Sequence, residues 1–323
     1  MYSRPFLKCY IVTIRRDGPK RTGRSHHKKE EEVWAAGEPN GGPQAIMKLI
    51  NGYDLMEYAK EKGYILPAFN TTNMEMTYAI AKGLNDARLP GYIQISSNNL
   101  RLSNPKVIAD LARDAASRYD TPIGLHLDHG KSYADVMACV EAGFTSIMVD
   151  ASHLPFEENV AEVAKAVQYC HFYGIPVEAE LGALQGKEED IVNEADAKTD
   201  PAMVPEFVKA TGCDLLAVSV GNVHGLDLEP HVDLDLLNTI ADISPVPLVL
   251  HGGSGIPFDV IQKARKCGLL KINYGSDLRK AYIRTFGEAY EASHNAHDVI
   301  SLSLKAVENV SAKAKELVEV INA

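Results

Sequence analysis

The stretch Ile123-Gly124-Leu125-His126-Leu127-Asp128-His129-Gly130 carries the reading on which the fold rests. Its first five residues, Ile123–Leu127, form an apolar run with the length of a buried strand. The run stops on Asp128 and His129, side chains able to move a proton or bind a cation, and Gly130 then lets the chain turn. An amphipathic stretch, Tyr133–Ala142, follows, and after it a second short run, Ser146–Val149, which stops on Asp150. Strand, polar stop, helix and next strand make one β–α unit of a parallel sheet.

The same unit repeats outward in both directions. Ile65–Phe69 and Tyr92–Ile95 precede it, and Val177–Leu181, Leu215–Val220, Pro247–Leu250 and Leu269–Ile272 follow. Helical stretches lie between, among them Pro105–Arg118, Glu157–Tyr173, Pro201–Thr211 and Pro257–Lys266. Eight alternations predict a (β/α)8 TIM barrel, and the 277 residues from Met47 to Ala323 suit one, since such barrels typically take ~250. An open doubly wound sheet would more often place G-x-G-x-x-G after its first strand, and none stands there.

Each predicted strand ends in a polar group: Asn70, Ser96, Asp128 with His129, Asp150, Glu180, His224, His251 with Gly252, and Asn273. A barrel gathers the carboxyl ends of its strands around one mouth, so these distant residues are expected to converge. Taken singly, a strand-end Asp or Asn reads as a helix N-cap and a strand His as a satisfied core side chain. Three imidazoles on one rim, His129, His224 and His251, make a set that zinc favours while keeping one position open. Spacing alone leaves metal site and core histidines as equal readings, because the triplet has no compact signature. Asp150 and Glu180 are oxygen donors on neighbouring strands, available as further ligands or as a displaced metal position. His153, His171, His294 and His297 have no such placement.

Composition excludes several classes of function. The chain has 323 residues, 46% hydrophobic and 24% charged, enough for a large core. Its 43 acidic and 33 basic side chains give a formal charge of −10, which argues against a nucleic-acid surface. No run approaches the ~20 apolar residues of a membrane span. The five cysteines are scattered and never form C-x-x-C, so a reducing cytoplasm and no disulfide framework are expected. Residues 1–46 differ from the rest: they carry a net +4 against −14 beyond them, hold Trp34, and run into the turn-rich Gly37–Pro43. They read as a poorly ordered extension or a mistaken start, with Met47–Ala323 as the barrel domain ending in a helical arm.

Several longer strings sharpen the reading. His126-Leu127-Asp128-His129-Gly130, the stretch from Val149 to Asn159, Val177-Glu178-Ala179-Glu180-Leu181-Gly182, the stretch from Leu248 to Gly255, and Lys271-Ile272-Asn273 together resemble the class II, metal-dependent fructose/tagatose-bisphosphate aldolases, over about Met47 to Tyr290. The resemblance implies reversible cleavage of a ketose (bis)phosphate to dihydroxyacetone phosphate and an aldehyde, in a homodimer or homotetramer. It implies one catalytic Zn2+ on His129, His224 and His251, with room for a second divalent or a monovalent cation. Asp128 matches the general base at the C4 hydroxyl, and Glu188 matches a glutamate on a mobile loop that exchanges the carbon-bound proton. Gly225, Gly252, Gly253, Ser254, Asn273, Gly275 and Ser276 match the phosphate-binding strand ends, and Asn70 and Ser96 match positions near the aldehyde end.

Three departures leave the substrate's far end open. Gln185-Gly186 stands where Gly-Gly is expected, Gly275 stands where fructose-bisphosphate members have Asp, and the C-terminal arm lacks D-P-R…G-P-G-R, whose arginine holds the second phosphate. Arg101 and Arg279 are the replacements on offer, and the substrate is tagatose 1,6-bisphosphate, fructose 1,6-bisphosphate or another ketose 1-phosphate. Lys271 admits a Schiff-base reading or a structural ion pair. A metal-dependent phosphosugar isomerase or epimerase and a silent binding barrel are the readings from outside the class.

Overall fold

The computed structural model describes residues 49–182, 186–188, 191–193, 198–226, 228–295 and 297–323, with the backbone alone for 186–188 and 191–193. The expected extension over residues 1–46 lies outside the described residues. From Leu49 onward the chain forms α1 (Gly52–Lys62), β1 (Leu66–Asn70), α2 (Met74–Ala87), β2 (Gly91–Ser96), α3 (Pro105–Ser117), β3 (Ile123–Gly130), α4 (Tyr133–Ala142), β4 (Ser146–Val149), α5 (Phe156–Phe172) and β5 (Val177–Leu181). It continues with β6 (Gly186–Glu188), β7 (Ile191–Asn193), α6 (Val204–Thr211), β8 (Leu215–Val218), α7 (Leu234–Ile243), β9 (Leu248–Leu250), α8 (Phe258–Lys266), β10 (Leu269–Tyr274), α9 (Ser276–Ala292) and α10 (Val299–Ile321). Strands β1, β2, β3, β4, β5, β8, β9 and β10 close in that order into a parallel barrel, while β6 and β7 form a separate antiparallel ribbon.

Period-two alternation along the strands builds two cores. Outward residues such as Phe69, Ile93, Leu125, Leu127, Val177, Leu216, Leu250 and Ile272 pack under the helices. Inward, the lower barrel is filled by Leu66, Ala68, Tyr92, Met148, Leu215, Ala217 and Val249, and α1 closes the bottom with Leu55, Met56 and Ala59. Higher up the inward positions turn polar, with Asn70, Gln94, His126, Asp128, Glu178, Glu180, Lys271 and Asn273 all buried. A barrel interior is ordinarily packed with branched apolar layers, so this band marks the functional end.

Helix caps come from residues other than the strand-end polar groups. Asn73, Ser132 and Asp233 accept the first-turn N–H groups of α2, α4 and α7, which leaves Asn70, Asp128 and His224 for other work. The C-terminal arm, α9 and α10, lies against the barrel: Ala306, Val310, Ala314, Leu317, Val318 and Ile321 of α10 are buried, and Asn322 bonds the N–H and C=O of Ile65. The approach of α10 to α2 requires Gly83, where a Cβ would stand 2.7 Å from Ala314 Cβ and from Ser311 O. No helix among the described residues is long and apolar enough to cross a membrane.

Candidate active site

The upper band converges at the mouth as the strand ends predict. β3 supplies two consecutive groups because its end bends sharply. Its register to β4 shifts between Leu127 and Gly130, and His129 takes a left-handed backbone with φ 47°. That conformation is uncommon outside glycine and persists only when the surroundings fix it. Here Ser97 Oγ donates to the His129 carbonyl, Met148 Sδ accepts from its N–H at 3.4 Å, and Asp150 Oδ2 meets its Nδ1 at 2.8 Å. The reversal carries the His129 ring toward the two imidazoles opposite.

His224 and His251 are brought together by close backbone packing. Gly252, at φ 63°, lets the end of β9 press on the segment before His224, since a Cβ there would lie 1.9 Å from Val223 O. Asn222 Nδ2 also donates to His251 O at 3.0 Å. The ring centroids of His129 stand 5.3 Å from His224 and 4.7 Å from His251. One ligand atom from each of the three imidazoles lies within 4.8 Å of the others, and His129, Asp150 and Glu180 form a second such set sharing His129.

These residues fit a divalent cation. His251 Nε2 meets Glu178 Oε1 at 2.8 Å, while its Nδ1 is buried without a hydrogen-bond partner and faces the cluster. A carboxylate on the far nitrogen of an imidazole is the usual orienter of a metal-ligating histidine, and Asp150 stands in the same relation to His129. Burial lowers the pKa of His251, opposed by Glu178, so the imidazole stays neutral as a ligand must. Burial pushes the Glu178 carboxyl up, but the Lys271 ammonium and the two histidines outweigh it and hold it well below the carboxylate range. Asp150 is likewise held low, burial being outweighed by His129 and by the Ser152 N–H and hydroxyl.

Asp128 sits beside this cluster, fully buried, with Oδ1 4.0 Å from His129 Nε2. Asn70 Nδ2 donates to its Oδ2 at 2.7 Å, and Gln94 Nε2 holds Asn70 Oδ1 at 2.8 Å. Ser96 is paired with Asp128 in the β2–β3 register, and Asn99 N–H reaches its Oγ at 3.4 Å. A cavity beside the imidazoles is lined by Asn70, His224, Gly225, His251, Gly252, Ser254, Asn273, Gly275, Ser276 and Arg279. It opens at the N-terminus of α9, which favours an anion. Gly253 falls outside that lining, because its N–H donates to Asn273 O at 2.9 Å.

A larger hollow of about 1030 Å³ at the opposite end of the barrel, beside Pro247 and Leu269, contains none of these groups. The backbone places Glu188 at the end of β6, opposite Ile191 in the ribbon, and its side chain lies outside the described residues. Of the candidate cations for a second phosphate, Arg279 lines the cavity, whereas Arg101 is exposed on the 3-10 turn Asn99–Arg101. Lys271 is enclosed by Glu178 and Asn273, an ion-paired ammonium rather than the free amine a Schiff base needs. His126, Gln94 and Glu178 belong to the site although strand-end reasoning passes over them. Each lies on a barrel strand with its side chain inward, two residues before Asp128, Ser96 and Glu180, and that period-two spacing is the signal that finds them.

Comparison with known proteins identifies the family. The family model described as "Fructose-bisphosphate aldolase class-II" matches residues 50–323, extending the expected resemblance through the C-terminal arm. The chain is 37% identical over 256 residues to "Probable fructose-bisphosphate aldolase" of Bacillus subtilis, covering 78% of this chain and 90% of the relative. It is 36% identical to "Fructose-bisphosphate aldolase" of Geobacillus stearothermophilus, covering 78% and 89%. The crystal structure of the YdjI aldolase from Escherichia coli K12 superposes with a TM-score of 0.75 at 30% identity, over 84% of this chain and 97% of that one. A closed barrel with three imidazoles and a buried carboxylate at its mouth, matched to this family over most of its length, makes the chain a member of the class II fructose-bisphosphate aldolases, metal-dependent carbon–carbon lyases.

Proposed function

We propose that the chain is a zinc-dependent aldolase cleaving tagatose or fructose 1,6-bisphosphate to dihydroxyacetone phosphate and glyceraldehyde 3-phosphate. The observation that carries this reading is the convergence of His129, His224 and His251 beside the carboxylate of Asp128. Nitrogen donors favour zinc over magnesium or calcium, and the set of His129, Asp150 and Glu180 offers a place for a second cation. His129, His224 and His251 would hold a divalent cation, which would supply Lewis-acid polarisation of the substrate ketone and offset the charge that grows on its oxygen.

The chain's own groups do the rest. Asp128, aimed by Asn70 and Asn273, takes the proton of the C4 hydroxyl as the C3–C4 bond breaks, and returns it in condensation. Glu188 exchanges the proton on the carbon of dihydroxyacetone phosphate. Gly225, Gly252, Ser254 and Ser276 grip the 1-phosphate at the start of α9, where the helix end supplies the positive potential that an acidic chain lacks. Arg279, which lines the cavity together with Asn70 of the aldehyde end, holds the second phosphate, which favours a bisphosphate over other ketose 1-phosphates.

Exposed Ile283, Val299, Ile300 and Leu304 on the C-terminal arm support a homodimer or homotetramer, and the buried free thiols Cys139, Cys170 and Cys213 support a reducing cytoplasm. The deciding experiment is a coupled assay for dihydroxyacetone phosphate across a panel of ketose phosphates, with and without chelator. Chelator-sensitive cleavage of a bisphosphate is expected, and chelator-resistant cleavage or no triose phosphate at all would overturn the reading.

A further inference from the structure

The polar band of the barrel holds a charge that the reaction above does not use. Lys271 on β10 reaches across the interior to Glu178 on β5, with Nζ 2.9 Å from Oε2, and the same Nζ donates to Asn273 Oδ1 at 2.7 Å. All three side chains are buried. Burying an ammonium costs free energy that an ion pair at best offsets, so apolar side chains would fill this volume at lower cost if packing were its only purpose.

Each partner of the ammonium leads to a different part of the site. Glu178, with Oε2 held by Lys271, turns Oε1 to His251 Nε2 at 2.8 Å. That contact keeps a proton on Nε2 and leaves the Nδ1 lone pair facing the imidazole cluster. Asn273, with Oδ1 fixed by the ammonium, presents Nδ2 to Asp128 Oδ1 at 2.9 Å. A flipped amide would set its oxygen against the carboxylate and its NH2 against the ammonium, so the lysine decides the orientation.

We infer that Lys271 is a positioning residue that fixes, through one ammonium, both the Glu178 carboxylate orienting the His251 metal ligand and the Asn273 amide aiming the base Asp128. The inference rests on the reading of the site as a divalent-metal aldolase centre. It couples the metal arm to the base arm through a group that touches neither metal nor substrate.

Two quantities test it in Lys271→Met, Glu178→Gln and the double variant. They are zinc affinity, read without substrate by competition with a chromophoric chelator, and kcat with KM at saturating zinc. Lys271→Met is expected to weaken zinc binding about 10- to 100-fold and to lower kcat at saturating zinc about tenfold, with KM little changed. The zinc losses should not add: the double variant binds zinc no worse than Glu178→Gln alone, because the effect passes through Glu178. The kcat deficit of the double variant should exceed that of Glu178→Gln, because Asn273 has still lost its anchor. The double variant strands neither charge, so it folds even where Lys271→Met does not, as a thermal melt will show. Additive zinc losses, or a double variant with the saturated kcat of Glu178→Gln, would overturn the inference. A wild-type protein that takes no zinc from the chelator would instead overturn the metal reading beneath it.

Discussion

Asn273 Nδ2 donates to Asp128 Oδ1 at 2.9 Å across the barrel mouth, although their strands are separated in the closed sheet by β1 and β2. The intervening strands serve the same carboxylate, Asn70 on β1 bonding its other oxygen and Gln94 on β2 holding Asn70. Both oxygens of this buried acid therefore accept from neutral amide donors, which orient it as a base. Asp128→Ala should lower kcat by roughly 10²- to 10⁴-fold while zinc remains bound. Near-normal turnover in a variant shown to carry zinc would remove Asp128 from the mechanism.

Metal removal is expected to affect stability as well as activity, since three buried or half-buried imidazoles each offer a ligand atom to one shared cation position. Exhaustive dialysis against chelator should abolish turnover and lower Tm by several degrees, because a ligand at 100 times its Kd stabilises the folded state by about 2.7 kcal/mol. Zinc should restore both. His251→Ala should remove the zinc-dependent rise in Tm, and a melt that still responds to zinc in this variant would place the ion elsewhere.

Acid should weaken the metal-free protein earlier than its carboxylates alone would. Burial, then the nearby Lys271 charge, hold the pKa of His126 well below its ordinary 6.5, and burial lowers His251 as well. The unfolded chain takes up these protons near pH 6.5 and the folded one does not. The contribution is therefore complete above about 6.5 and is lost as pH falls below it, by up to about 1.4 kcal/mol per pH unit for each histidine. His126→Asn keeps a polar partner for Ser146, which His126 Nδ1 meets at 2.8 Å. Chemical denaturation between about pH 6 and 5 should show a slope shallower by about one proton in this variant. Equal slopes would mean that His126 keeps its ordinary affinity for the proton.

The strand ends were legible because a parallel barrel buries both faces of its strands, which shortens each apolar run to a strand length and puts its polar stop at the mouth. Where hydropathy misleads, it does so at that stop. β3 runs on through Asp128 to Gly130, and β10 through Asn273 to Tyr274, because the ladder continues past the first polar side chain: Ser96 pairs with Asp128 and Ala68 with Asn273. β8 errs the other way, ending at Val218 where an apolar run to Val220 was expected. Glu178 and Lys271 were harder to read. A charged residue inside an apolar run looks like an interruption until the closed barrel shows that every second position faces a shared interior. The contact of Lys271 with Glu178 spans the barrel, and no local pattern encodes it.

The substrate's far end turns on Gly275 and Arg279. A Cβ at Gly275 would stand 3.0 Å from Arg279 Nη2 and 3.1 Å from Asn70 Oδ1, so the missing side chain leaves room for both the guanidinium and the Asn70 amide at this spot. An aspartate there would draw the guanidinium to itself and set a negative charge beside the place proposed for the second phosphate. Arg279→Met should therefore raise KM for a ketose 1,6-bisphosphate about 10- to 100-fold, the worth of one charge-assisted hydrogen bond, and leave a ketose 1-phosphate almost unaffected. Gly275→Asp should act in the same direction on the bisphosphate. The ratio of kcat/KM for the two substrates isolates the effect, because a general disturbance of the mouth lowers both values together. An unchanged ratio in Arg279→Met would show that the second phosphate is held elsewhere, and Arg101 would be the next residue to replace.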